Sequence, residues 1–354
     1  MLNNQNKLNK SGIIPPSLLE YIVKNCNQSD KAYILKTLNH VYNLMSKPTE
    51  IGSLIDEYKP GFDSQLDRTI YDAEHQDNYP GKALILNEGM NTSTNTAANE
   101  AYNYIGKTYE FYKKIFGRNS IDNQGLKLVA TVHYRTNYVN AFWDDHQMVF
   151  GDGYAPYFNC FTSCIDIAAH ELTHGVTECE ANLDYAYQSG ALNESISDVF
   201  GIMVKQYANN QKATESDWLI GQGIFGPALN PNNSPDIALR SLKNPGTAHP
   251  TDDQIGHMDQ YQDLPFRDDN GGVHKYSGIP NKAFYLLATS LGGYSWEQAG
   301  KIWYETLLDK RLSNKASFDD FAALTVNNAE KLFGKQLSIA VIDAWSQVGI
   351  LLNQ

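Results

Sequence analysis

Residues 170–178 read HELTHGVTE and set His170 and His174 one helical turn apart, with Glu171 between them. Side chains four apart on a helix share a face, so two imidazoles at this spacing can grip one metal ion. Glu171 is rotated about 100° round the axis from His170, which puts its carboxylate beside such an ion, where it can take a proton from water. Alone, the pattern is equally that of a satisfied histidine pair. Catalytic zinc takes three protein ligands and leaves a fourth position open. Further on, GALNESISDVFG (190–201) has the apolar spacing of a buried helix face at Leu192, Ile196, Val199 and Phe200, yet Glu194 lies among them and Asp198 follows one turn later. Two carboxylates on a buried face need a cationic partner. Zinc on Glu194, with Asp198 accepting the N–H of a ligating histidine, meets that need; a solvated helix face is the alternative. In DDNGGVHKYSGIPNKAFY, His274 follows a Gly-Gly turn from which it can reach a cleft and bind an oxyanion, with Asp269 placed to orient it. A lone loop histidine is otherwise a surface residue.

These residues need a scaffold. Residues 1–60 read as a separate helical unit with a linker. Pro15-Pro16 opens SLLEYIVKN, with Leu18, Leu19, Ile22 and Val23 at helical spacing, and KAYILKTLNHVYNLM carries Ile34, Leu38, Val41 and Leu44 on one face. The polar stretch SKPTEIGSLIDEYKPGFDSQ, broken by Pro48 and Pro60, reads as an exposed connection. This is the layout of a prosegment and also of a permanent small subdomain. RTIYDAEH, KALILNEG, LKLVATVHYR and NAFWDDHQMVFGDG then read as strands, interrupted by one amphipathic helix over NTAANEAYNYIGKTYEFYKKIFG. Beyond about residue 165 the chain reads as helices. The expectation is an α+β protein of two lobes, 61–178 rich in strands and including the histidine helix, 179–354 helical, with a cleft between them.

Composition excludes some functions. A net charge of −12 argues against nucleic acid or an anionic membrane surface as partner, and no apolar run reaches membrane-spanning length. The opening MLNNQNKLNKSGIIPPSLL lacks a basic-then-apolar leader, from which a cytoplasmic location at synthesis is expected, with any release by a non-classical route. Four cysteines are too sparse for a disulfide framework and read as free thiols. Cys160 and Cys164 have no second pair with which to hold a metal, and read as small buried residues.

HELTHGVTE, GALNESISDVFG, NAFWDDHQMVFGDG, ALRSLKNP and NGGVHKYSGIPNKAFY, in this order and spacing, closely resemble the thermolysin family of zinc metalloendopeptidases from about Thr69 to the C-terminus. SGIIPPSLLEYIVKN is similar to the short propeptide of the protealysin-like branch, although PPS stands where a large apolar residue usually follows the two prolines. The resemblance implies His170, His174 and Glu194 as zinc ligands and Glu171 as general base. It implies His274 and Tyr185 as oxyanion donors, with Asp269 and Asp198 supporting His274 and His170. Asn140 and Ala141 would pair with substrate backbone along an edge strand, and Arg240 would hold the carbonyl after the scissile bond. Phe158, Phe161, Ile167 and Leu239 would wall the pocket for the next side chain; all are apolar, so cleavage before Leu, Phe or Ile is expected. The implied partners are protein and peptide substrates and the chain's own propeptide as intramolecular inhibitor, with room for a separate protein inhibitor, in a monomeric zymogen that cuts itself between about Lys47 and Asp67.

Two departures stand out. Asp166 and Asp217 remain from the family's double calcium site, but Lys205, Leu219 and Gln222 replace its other acids, so that site is expected to be absent, with the lysine ammonium in the ion's place; other calcium sites stay open. Ser163-Cys164 replace the glycines before the histidine helix, and Ser163 with Asp166 reads as a capping box. A binding protein on an inactivated protease fold would lack some of this chemistry, yet every residue is present. An aminopeptidase would show a Gly-x-Met-Glu-Asn stretch, which this chain lacks.

Overall fold

The computed structural model describes residues 7–8, 12–46, 48–49 and 65–352. At the N-terminus β1 (Lys7–Leu8), α1 (Pro16–Asn25), α2 (Gln28–Ser46) and β2 (Pro48–Thr49) form one unit, closed by antiparallel pairing of β1 with β2. Proline suits the first turn of α1, where its missing N–H has no helical partner to lose. Leu18, Leu19, Ile22, Ile34, Leu38, Val41 and Met45 are buried. Leu44, expected on the buried face of α2, is only half-buried, and Met45 takes the inward position. The expected linker and cut region fall almost wholly outside the described residues.

A five-stranded mixed sheet follows, built from β3 (Arg68–Asp72), β4 (Ala83–Asn87), β5 (Leu128–Val132), β6 (Ala141–Trp143) and β7 (Met148–Phe150) in the order β4-β3-β5-β7-β6. Between β4 and β5 the chain forms α3 (Thr96–Phe116), capped by the Asn95 side chain on Ala98 N–H (3.0 Å) and ended by left-handed Gly117. β6 lies at the sheet's edge.

The histidine helix α4 (Ile165–Glu180) packs against α5 (Tyr187–Ala208). The expected capping box does not form. Ser163 Oγ donates to the Cys160 carbonyl (2.6 Å), while the Asp166 carboxylate accepts from the N–H groups of Ile167 (2.9 Å) and Gly221 (3.1 Å) and faces Lys205. Asp166 is buried beside that ammonium, and this stronger partner turns it away from Ser163. Two short strands, β8 (Leu219–Ile220) and β9 (Arg240–Ser241), precede α6 (Asp269–Tyr276), whose start is broken by left-handed Asn270, Gly271 and Gly272. Helices α7 (Gly278–Leu291), α8 (Ala299–Leu308), α9 (Phe318–Phe333) and α10 (Lys335–Ser346) complete the chain. One continuous apolar core runs from Ile13 through the sheet and α4–α5 to Ile350, so the N-terminal unit shares the core of both lobes. No helix among the described residues is long and apolar enough to cross a membrane.

Candidate metal centre and cleft

The two buried helices α4 and α5 bring the first three candidates together. His170 and His174 point their Nε2 atoms at each other, 3.0 Å apart, and each lies 3.4 Å from a Glu194 carboxylate oxygen. All three side chains are fully buried. The opposite ring nitrogens are committed: His170 Nδ1 lies 3.0 Å from Asp198 Oδ1, and His174 Nδ1 lies 2.8 Å from Asn193 Oδ1 and 3.0 Å from Ser197 Oγ. Carboxylate and amide oxygens accept, so each Nδ1 carries a proton and each Nε2 is the nitrogen left to offer a lone pair to an ion. Two ring nitrogens and a carboxylate thus converge on one point, which favours a positive charge there, whether a proton on His170 or an ion. His170 shows the same demand. Burial opposes its charged form, but Asp198 and Glu194 outweigh burial and push its pKa up to about 9. Burial likewise opposes the Glu194 carboxylate, and His274, His174 and His170 outweigh it and hold the group well below the usual range. Two imidazoles and one carboxylate converging on one point are a donor set suited to zinc.

Asp198 anchors the wall behind His170. Arg240 grips it with two hydrogen bonds, Nε to Oδ2 (2.8 Å) and Nη2 to Oδ1 (2.7 Å), and Asn281 Nδ2 adds a third (2.9 Å). Burial alone would raise this carboxyl, but Arg240 and then His170 bring it down to about 2. Glu171 is fully buried on the same helix as the two histidines. The Tyr185 hydroxyl donates to Glu194 Oε1. His274 is brought to the other side of Glu194, its Nε2 3.5 Å from Oε2, by the left-handed turn before it. Asp269 fixes His274 twice, through the backbone N–H (2.8 Å) and the ring Nδ1 (2.7 Å). Burial disfavours the imidazolium of His274, yet Asp269 and Glu194 push its pKa up to about 9.

Edge strand β6 forms the rim. Asn140 and Ala141 are buried there, and Phe158, Phe161, Ile167 and Leu239 are buried within one apolar cluster that also contains Ile13. The N-terminal unit enters this rim: Ile13 N–H donates to the Ala141 carbonyl (3.0 Å), Ile14 N–H to Asn140 Oδ1 (3.0 Å), and Arg240 Nη1 to the Ile13 carbonyl (2.9 Å). Helix α2 adds Asp30, which accepts from the hydroxyls of Tyr154 (2.8 Å) and Tyr157 (3.1 Å). It also adds His40, whose Nδ1 lies 2.8 Å from the Tyr138 hydroxyl among the rings of Tyr134, Tyr138 and Phe142. Direct contacts thus link His170, His174, Glu194, Asp198, Tyr185, His274, Asp269 and Arg240, and Ile13 and Ile14 tie Asn140 and Ala141 to them, while Glu171, Phe158, Phe161, Ile167 and Leu239 are buried. Asn193, Ser197 and Asn281 were not singled out from the sequence, although all three sit inside the quoted motifs, and polar residues on a buried face were the available signal.

Away from the cleft, Lys205 Nζ lies 3.1 Å from both Asp217 oxygens and 3.9 Å from Asp166 Oδ2, and donates to the Leu219 carbonyl (2.9 Å).

Comparison with known proteins agrees with this geometry. Residues 25–178 match the family model described as "Thermolysin metallopeptidase, catalytic domain", and residues 181–350 match "Thermolysin metallopeptidase, alpha-helical domain". "Protease PrtS" of Photorhabdus sp. (strain Az29) is 47% identical over 98% of this chain and 94% of its own length. "Extracellular metalloprotease" of Pectobacterium carotovorum subsp. carotovorum is 46% identical over 97% of each. The solved precursor of protealysin, a metalloproteinase from Serratia proteamaculans, superposes with a TM-score of 0.86 at 45% identity, covering 96% of this chain and 99% of that one. The name of the Pectobacterium relative overturns the cytoplasmic location expected from the sequence. That expectation rested on the lack of a basic-then-apolar leader, which bears on one export route alone.

Proposed function

This chain belongs to the thermolysin family of metallopeptidases, hydrolases of peptide bonds, and from that premise we propose that it is a zinc endopeptidase made as a self-processing zymogen and acting outside the cytoplasm. His170, His174 and Glu194 would hold the zinc, which when bound supplies a Lewis acid that polarises the scissile carbonyl and acidifies a water molecule. The convergence of two inward Nε2 atoms on a buried carboxylate carries this reading. The substrate lies along β6, its backbone held by Asn140 and Ala141 and its carbonyl after the scissile bond by Arg240. Glu171 accepts the proton of the attacking water on its carboxylate and passes it to the leaving amine. His274, kept protonated by Asp269, and Tyr185 donate to the oxygen on which negative charge develops. Phe158, Phe161, Ile167 and Leu239 receive a bulky apolar side chain, so cleavage falls before Leu, Phe or Ile.

The N-terminal unit is read as the prosegment and inhibitor, because its backbone occupies the hydrogen-bonding groups a substrate would need. At the former calcium position, Lys205 supplies the positive charge between Asp166 and Asp217.

Intact mass over time, for the full-length chain beside Glu171→Ala, tests the reading. The wild type should lose its N-terminal unit and then cut a peptide blocked at both ends before Leu or Phe. The variant should stay whole, with a turnover lower by about 10²–10⁴-fold. Equal processing and turnover in the two chains would refute it.

A further inference from the structure

Three consecutive residues of the N-terminal unit meet the cleft in a set order. The Gly12 carbonyl oxygen lies 3.0 Å from His274 Nε2, Ile13 N–H donates to the Ala141 carbonyl, the Ile13 carbonyl accepts from Arg240, and Ile14 N–H donates to Asn140 Oδ1. A substrate laid along β6 offers the same groups in the same order: a carbonyl to the oxyanion donor, then the amide and carbonyl of the next residue to the strand and the arginine. The segment therefore runs in the direction of a substrate, and the Gly12–Ile13 peptide bond is the one brought to the reacting groups. Ile13 and Ile14 are fully buried, so this is a seated segment.

The backbone at Gly12 is not that of a substrate. Its φ is +88°, in the left-handed region, whereas a chain added to a sheet edge is extended. The backbone at Gly12 itself therefore departs from the extended form of a strand laid along β6. Glycine is also needed for space: a Cβ here would fall 2.9 Å from Asn140 Nδ2 and closer still to the Ala141 carbonyl oxygen. A side chain of either kind of strain would push the segment out or force it straight.

We infer that Gly12 is the residue that makes this segment an inhibitor instead of a substrate: it sets the Gly12–Ile13 bond in catalytic register while its left-handed backbone withholds that bond from attack. Hydrolysis depends on the reacting carbonyl being aligned between nucleophile and oxyanion donors, and small misplacements cost about a hundredfold in rate. The inference rests on the endopeptidase reading above and adds the residue that controls latency.

The test compares Gly12→Ala with the wild-type chain, and with Lys24→Ala at an exposed position of α1 as a control, in two settings. In a Glu171→Gln background, which keeps the chain whole, amide hydrogen exchange at Ile13 and Ile14 is followed. Gly12→Ala should speed it on the order of tenfold or more, and Lys24→Ala should not. With Glu171 intact, hydrolysis of a blocked fluorogenic peptide is read before any chain is cut, and the first cut is located by mass. The Gly12→Ala precursor should be at least about tenfold more active than the wild type, whose first cut should lie elsewhere than Gly12–Ile13. Unchanged exchange and latency in Gly12→Ala, or a first wild-type cut at Gly12–Ile13, would overturn the inference. If no chain ever cuts the peptide, even without its N-terminal unit, the endopeptidase reading fails, and the exchange rates still decide the role of Gly12.

Discussion

Helix α5 borders two acidic clusters, one fully buried and one reaching the surface at Asp217, and they are neutralised differently. Near its middle, Glu194 faces two inward-turned imidazole nitrogens, with His274 and Tyr185 on its other sides. In its last turn, Lys205 reaches Asp217 and Asp166, and the ammonium completes the cluster from within the chain. Burial pushes the Asp166 carboxyl up, with Lys205 the first influence to counter it. One cluster carries its counter-charge covalently; the other leaves a place for a cation. A charge built into the chain serves the fold, whereas a charge left to an ion can also serve chemistry.

The sharpest way to break the contrast is His174→Ala. It should leave the centre without bound zinc by elemental analysis and bring peptide hydrolysis to background, while Lys205 and Asp217 keep their contact. Next in size is Asp198→Asn, which strips the buried partner from Arg240 and from His170 Nδ1. Breaking a buried ion pair on one side costs about 3–5 kcal/mol, and losing a histidine's support weakens metal binding about 10–100-fold. Denaturant melts and zinc titration should show both, and a stable variant with unchanged zinc affinity would contradict the arrangement. Lys205→Ala should cost roughly 1–3 kcal/mol and make the melting temperature rise with added calcium, whereas wild-type melting should ignore EGTA. An EGTA-sensitive wild type would show that the ammonium does not replace the ion.

The smallest effect belongs to a carboxylate of the N-terminal unit. Asp30 is held below the usual carboxylate range first by the Tyr154 hydroxyl, against a smaller opposing effect of burial. A depressed carboxyl contributes in full above its ordinary pKa and loses that contribution as pH falls through its lowered value. Docking of the N-terminal unit should therefore weaken in acid below about pH 4, and Asp30→Asn should weaken it at neutral pH and flatten the acid dependence. Exchange protection of α2 amides against pH reads this directly.

Much of this was legible in local pattern. The four-residue spacing of His170 and His174 survives as one face of α4, and Glu194 with Asp198 as one face of α5, because both pairs obey the helical repeat. The strands around β6 fall inside stretches bounded by turn residues, with boundaries shifted by a few residues, although β6 and β7 are buried throughout and do not alternate. What stayed hidden lacks a local period. Ile14 meets Asn140 across 126 residues, Ile13 meets Arg240 across 227, and Gly12 meets His274 across 262. GIIPP stands out in the sequence only through its resemblance to a propeptide, which names no residue that it touches. Ser163 was misread for the complementary reason: its spacing to Asp166 fits a capping box, but distant Lys205 and Gly221 compete for the same carboxylate. The role of Arg240 is similar, since spacing does not reveal that one guanidinium spans Asp198 and the Ile13 carbonyl.

The hold of the N-terminal unit on the cleft is made of noncovalent contacts: Ile13 and Ile14 on β6, Asp30 on two tyrosines, His40 among three rings. A single cut in the connection after β2 would leave all of them in place. What the cut changes is the number of bodies, from one chain to two. Before it, the N-terminal unit is presented to its own cleft at an effective concentration set by the tether; after it, at whatever concentration the surroundings hold. If that unit is the inhibitor proposed above, cutting and activation are separate events: a freshly cut sample kept concentrated should stay latent, and the same sample should become active on dilution.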